Sequence, residues 1–273
     1  CALFSWQLWT PAEGDRRMIG AADGDLVRQF YPYRVFVARA WATGHPPVWN
    51  PHQYGGTPAW ADPQQAVLYP WRALQAPFGI GGGRLPLWAV ELEAVAHLML
   101  GGWFVALLVR RLSARWTAAA GAGAVFAFGG YLSGYPVEQL AIVDTAIWIA
   151  PCLVGVTAML DAAAAGDRSG ARRSAVLAGL ATALSGLAGH PQTAVYGLYL
   201  ALAWFVVRTR QSGAPIGRSA RLGLAWLALG AGLSAAQWLP SAWLLAQSDR
   251  AVSIEDLTTG LRWRDLATIA AAP

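Results

Sequence analysis

The sequence predicts an all-α integral membrane protein: a multi-span helical bundle with one long loop ahead of its spans. Three observations carry this expectation. Only 13% of the 273 residues are charged and 56% are apolar, whereas soluble domains carry about 25% charged residues. The apolar residues gather in helix-length runs. Short arginine clusters then fall at every second loop: Arg110, Arg111 and Arg115; Arg168, Arg172 and Arg173; Arg208, Arg210, Arg218 and Arg221. Short loops rich in positive charge stay cytoplasmic. The alternate loops, 134–140 and 189–192, hold no arginine and are expected to face outward.

The elements follow in order. Residues 1–9 read as the end of a truncated transmembrane helix, since no signal peptide is recognisable there. Residues 10–84 form the long outer loop, with interfacial helices. This segment contains seven arginines, but long loops are translocated regardless of charge. Its many prolines and glycines exclude long helices from its middle. Residues 26–41 have helical spacing, with Phe30, Val37 and Trp41 on one stripe and Arg28, Arg34 and Arg39 elsewhere; this predicts a helix lying flat at the interface.

Residues 85–246 supply six candidate crossings, at 85–109, 116–133, 141–160, 175–188, 194–207 and 222–246, against the roughly 20 apolar residues a span needs. The fourth and fifth are short, and Gly189-His190-Pro191 between them marks a tight outer turn or a broken helix. Trp103, Trp148, Trp204, Trp226 and Trp243 fit an aromatic belt. Residues 247–273 lead outward into a further span.

Composition also excludes function classes. The pI of about 9.6 raises nucleic-acid binding, but ten arginines sit in the three loop clusters, where orientation accounts for them. Cys1 and Cys152 make no disulfide framework, because Cys152 lies within an apolar run. No nucleophile elbow, P-loop or zinc-ligand spacing is present.

The polar residues expected on the outer side are the candidates for chemistry. In Asp23-Gly24-Asp25 two carboxylates can share a divalent cation, or one can act as a base tuned by the other; a solvated turn is the plainer reading. Asp62-Pro63-Gln64 is an Asp-Pro turn or a polar contact. His190 suits a helix cap, a phosphate contact or a proton shuttle. Glu91, Glu93 and Asp144 fall at the starts of spans, where ionisable groups are functional candidates by default and acids also suit the helix dipole. Glu93 and His97 share a helix face, as a proton relay or a structural hydrogen bond. Glu138-Gln139 lies in the second outer loop.

Taken in order, Gly24-Asp25-Leu26, Gln29-Phe30-Tyr31-Pro32, Pro47-Val48-Trp49-Asn50-Pro51, Gly55-Gly56-Thr57-Pro58 and Gln64 with Tyr69-Pro70 resemble the first outer loop of YfhO-like bacterial membrane proteins. Gly189-His190-Pro191-Gln192-Thr193-Ala194 with Tyr196 resembles a second signature of that group, and residues 266–273 resemble the segment entering its next span. The resemblance covers most of the chain.

It implies a fragment of a longer GT-C glycosyltransferase in the bacterial inner membrane, multi-pass, with an extracytoplasmic active face. An acidic residue of the first outer loop is the base in that superfamily, which maps to Asp25. Asp62, Gln64, Glu138, His190 and Gln192 would bind substrate, and Asp23 would hold a divalent metal, Mg or Mn. The implied partners are a polyprenyl-phosphate sugar donor, a cell-envelope acceptor and the lipid bilayer, with no nucleic acid. Two readings of other classes stay open: a lipid or polysaccharide transporter or flippase, and a non-catalytic accessory membrane subunit.

Overall fold

The structure, a computed structural model, describes residues 24–113, 115–133 and 138–248. Helices dominate these residues, and no strand occurs among them beyond one isolated bridge, Asn50 to Thr57. Three helical stretches are long and apolar enough to cross a membrane: Leu87–Ser113, Leu140–Ala164 and Ile216–Ala246. These mark the chain as a membrane protein, as the charge deficit and apolar runs predict.

Helix α1 (Tyr31–Ala42) is entered through a π-helical turn, Leu26–Phe30. The Pro/Gly-rich stretch that follows contains only a short 3-10 turn, Pro63–Gln65, before α2 (Trp71–Gln75) and a second 3-10 stretch, Ala76–Gly82. The bundle helices are α3 (Leu87–Ser113), α4 (Trp116–Phe128), the short α5 (Gly130–Ser133), α6 (Leu140–Ala146), α7 (Ile149–Ala164), α8 (Arg168–Leu187), α9 (Pro191–Ser212) and α10 (Ile216–Ala246). Each apolar run read from the sequence is occupied by helix. The two short runs belong to longer helices, because α8 and α9 extend through their flanking arginines.

α3 pairs with α4, α8 lies between α7 and α10, and α9 packs on α7. Small residues set these approaches, as in membranes generally, where close backbone packing replaces the hydrophobic drive between helices. A Cβ on Gly102 would lie 2.8 Å from the Gly123 carbonyl oxygen, and one on Gly123 would lie 2.6 Å from that of Gly102. On the other side, Gly155 meets the Ala178 backbone and Gly179 meets Leu229.

The two ends of the bundle differ in chemistry. At one end Asp161 joins Arg111 at 2.9 Å and Arg208 at 2.8 Å, while Arg218 donates to the Ala163 carbonyl. The arginine-bearing loops therefore meet at this end. At the other, Thr145 receives the His190 amide, and Trp60 of the long loop is tied to α10. Pro240 explains that tie. It has no N–H, so the carbonyl of Ala236 loses its helical donor. Trp60 supplies the replacement, its Nε1–H donating to Ala236 O at 2.9 Å, and Gln237 donates back to Trp60 O at 2.8 Å.

Two expectations change. Trp226 is fully buried and donates to Thr182 at 2.8 Å, and Trp204 donates to Thr157 at 2.9 Å. These indoles satisfy hydroxyls inside the bundle and are not belt residues; Trp103 and Trp243 are exposed, 58% and 63%. Nor does α1 set its arginines apart from its apolar stripe. Arg34 falls between Phe30 and Val37 on the same face (i+4 and i+7 from Phe30) and is as buried as they are.

Gly123→Val should force α3 and α4 apart, costing about 1–3 kcal/mol or more for an overpacked contact. Gly121→Val, at a position with nothing within 4 Å, should leave stability unchanged. Thermal unfolding of the detergent-purified variants checks this contrast, and equal effects would contradict the packing.

Candidate functional site

Asp25 stands at the start of the π turn that leads into α1, at the bundle end opposite the arginine loops. Its Oδ2 accepts a hydrogen bond from Gln139 Nε2 at 2.8 Å, so the loop carrying Glu138 and Gln139 meets the start of α1. Asp25 lines an open groove of about 890 Å³ along α1, together with Arg28, Arg39 and Arg84. Among the described residues Asp25 is the one acid that lines it, beside three arginines. Arg39 is held in place by donating to Gly83 O. Tyr54 stands on the lining at a left-handed turn, φ +50°, and is 92% exposed. Such a backbone is uncommon for a bulky residue; the following Gly55 and the Asn50–Thr57 bridge hold the turn.

The remaining sequence candidates divide between this groove and another place. Gln64 accepts from Gln29, itself a lining residue. Asp62 caps its own 3-10 turn, its Oδ1 accepting from the Gln64 amide at 3.0 Å. It also bonds Tyr33, and burial pushes its carboxyl above the ordinary range. His190 and Gln192 lie at the start of α9 and do not line the Asp25 groove. The His190 Nδ1 accepts from the Thr193 amide at 3.2 Å, capping α9, which leaves only Nε2 to donate. Burial lowers its pKa, favouring the neutral ring. Gln192 donates to Tyr196 on the exposed face of α9. Gly189 is fixed at φ +112°, and a Cβ there would lie 2.9 Å from Pro63 O, so the turn between α8 and α9 is the tight one. Asp23 lies outside the described residues; among those described, no group of three or more His, Cys, Asp or Glu is placed to hold a metal.

Beneath α1 lies a buried ionic group that sequence reading found only in part. Arg72 grips Glu93 with both fork nitrogens, Nη1 to Oε2 at 2.9 Å and Nη2 to Oε1 at 2.6 Å. Arg34 Nη2 lies 3.2 Å from Glu93 and 3.4 Å from Asp144, and Arg72 Nη2 lies 3.3 Å from Asp144. All four side chains are at most 2% exposed. The group thus sets two guanidinium groups against two carboxyl groups. Gln75 donates to Glu93 Oε2 at 2.6 Å, and Arg34 also donates to the carbonyls of Gln64 and Gln65.

His97 extends this group. Its Nδ1 lies 2.8 Å from the Glu93 carbonyl and must donate to it. In the neutral ring Nε2 then accepts from Tyr69 Oη at 2.8 Å, and Tyr69 in turn accepts from Trp148 Nε1 at 3.0 Å. Burial keeps the Tyr69 phenol protonated, its pKa well above the usual range. The sequence signal for the acids was their place inside apolar spans. Arg34 was expected off the apolar stripe of α1; its spacing, four residues after Phe30 and three before Val37, puts it on that stripe. Arg72 carried no local signal.

Removing one member of a buried, hydrogen-bonded pair costs about 3–5 kcal/mol, because its partner's charge is stranded. Arg72→Met should therefore lower the melting temperature sharply. Adding Glu93→Gln to it should recover most of the loss, since Arg34 and Asp144 remain a matched pair. Thermal unfolding of the single and double variants checks this; additive losses would contradict the coupling. Compared with protein-family models, curated proteins and solved structures, the chain matches none of them.

Proposed function

We propose that the chain is the core of a membrane glycosyltransferase of GT-C type, moving a sugar from a polyprenyl-phosphate donor to a cell-envelope acceptor. The observation that carries this reading is the groove beside α1: one carboxylate, Asp25, among three arginines, in the loop whose ordered motifs resemble YfhO-like proteins. The charge suits a phosphate-bearing donor, since arginine forks bind phosphate oxygens through charge-assisted hydrogen bonds. The arginine-rich loops gather at the opposite end, which supports an extracytoplasmic groove in an inner membrane crossed by six spans.

In this mechanism Asp25 takes the proton of the acceptor hydroxyl. The hydroxyl oxygen attacks the anomeric carbon in line, the anomeric C–O bond to phosphate breaks, and the lipid phosphate departs with the electron pair, inverting the anomeric centre. Gln139 holds the Asp25 carboxylate in place while leaving it acceptor capacity. Arg28, Arg39 and Arg84 stabilise the charge that grows on the departing phosphate. A metal at Asp23 would add to that stabilisation. The transporter reading draws on the intramembrane acids, but Glu93 and Asp144 are engaged in ion pairs, which weakens its support.

A positioned base is worth about a hundred- to ten-thousandfold in rate. In the intact protein, Asp25→Asn should lower kcat by that order while donor binding persists. Arg84→Gln should raise KM through weaker hold on the donor phosphate and also lower kcat, because the departing charge loses a stabilising partner. Transfer from radiolabelled donor in membranes checks both, and an Asp25→Asn protein with normal turnover would remove the base from the mechanism.

Sidedness is testable separately, in a Cys1→Ser background where Cys152 is buried. Thr43→Cys and Gln192→Cys should react with an impermeant thiol reagent in intact cells, and Ser169→Cys should not. The reverse pattern would place the groove in the cytoplasm.

A further inference from the structure

The arginine end of the bundle holds a second cleft, independent of the groove. We propose that this cleft binds the headgroup of an anionic phospholipid. It lies between the first turns of α8 and α10, has a volume of about 540 Å³, and is lined by Arg168, Arg172, Arg218 and Arg221 over a floor of Ala171 and Leu222.

Several observations converge on an anion. None of the lining residues is acidic, so four like charges share one opening. Two described carboxylates at this end are committed elsewhere: Asp161 pairs with Arg111 and Arg208, and Asp167 caps α8 by accepting from the Gly170 amide at 2.9 Å. Arg218 donates through Nη1 to Ala163 O, while its Nη2 is buried without a hydrogen-bond partner. A guanidinium nitrogen shut away from water and unpaired is costly, and a phosphate oxygen would satisfy it. Both flanking helices also begin at this end, which adds two positive dipole ends.

A membrane lipid fits better than free phosphate because of what lies above the cleft. α8 and α10 close tightly further along, where Gly179 meets Leu229 and Gly230 meets Thr182. Between the arginines and that closure the helices present exposed Val176 and Leu224, 48% and 67%, apolar surface one turn beyond the charges. A headgroup among the arginines would lay its acyl chains along these residues. Basic pockets between spans at the cytoplasmic side hold acidic headgroups in this way.

The test compares lipids retained by the full chain in detergent, using native mass spectrometry with phosphatidylglycerol, phosphatidylcholine and inorganic phosphate as separate probes. Each arginine near an anionic surface is worth about fivefold in binding. Phosphatidylglycerol should be retained over phosphatidylcholine, and Arg172→Gln with Arg218→Gln should reduce that preference roughly twenty-five-fold or abolish it. Arg210→Gln, at the same end but outside the cleft, should leave it unchanged. If the double variant folds poorly, Arg221→Gln alone should reduce the preference about fivefold. Equal retention of the two lipids would overturn the proposal. So would equal losses in the Arg210 and cleft variants, or saturation by inorganic phosphate alone at the same concentration.

Discussion

Two carboxylates buried in apolar helices are the constraint from which the loop end of this protein is built. Glu93 on α3 and Asp144 on α6 are withdrawn from water, and isolated ionised groups there would be prohibitively costly. The bundle helices do not supply the compensating cations. They come from the long loop, Arg34 from α1 and Arg72 from α2, and each arginine lies within 3.4 Å of both acids. The loop is therefore folded down onto the bundle as a condition of burying the acids. With Arg34 fixed, α1 is fixed, and Asp25 at its leading end is held against Gln139 beside the groove.

Smaller accounts of the same kind reinforce this arrangement. Pro240 leaves a carbonyl open on α10, and Trp60 closes it, so the middle of the loop is attached to the last described helix. The His97 ring, the Tyr69 hydroxyl and the Trp148 indole form a chain in which each donor meets one acceptor. Buried polar networks of this sort are favourable only when their members are satisfied. Together these contacts give an irregular, Pro/Gly-rich segment a definite surface, which is what a groove needs to present charges in fixed positions.

The opposite end follows a different logic. Asp161 pairs with two arginines at the surface, and exposed pairs of this type contribute little to stability. What the arginines provide there is a concentration of positive charge at one end of the bundle. The cleft between α8 and α10 lies short of the point where the glycines, packed against Leu229 and Thr182, close the two helices together. The two ends thus differ in what lines their openings: a groove with one carboxylate among arginines at the loop end, and a cleft lined by four arginines and no acid among the described residues at the other.

The sequence by itself determined the helices, because apolar runs, prolines and charge deficit act locally and through solvent. It also determined that the arginine loops share one end, since their alternation fixes the direction of each run. It singled out Glu93, His97 and Asp144 as acids and a histidine in apolar surroundings, and Asp25 as a loop acid. The tertiary structure decided which cations answer those acids. Arg34 and Glu93 are 59 positions apart, and Arg72 and Asp144 are 72 apart, and neither spacing leaves a periodic trace. It likewise left His190 off the lining of the Asp25 groove, as the cap of α9, and it buried Trp226 where spacing suggested an interface. Pairing across such distances depends on the shape of the whole packed chain, which hydrophobic pattern alone does not encode.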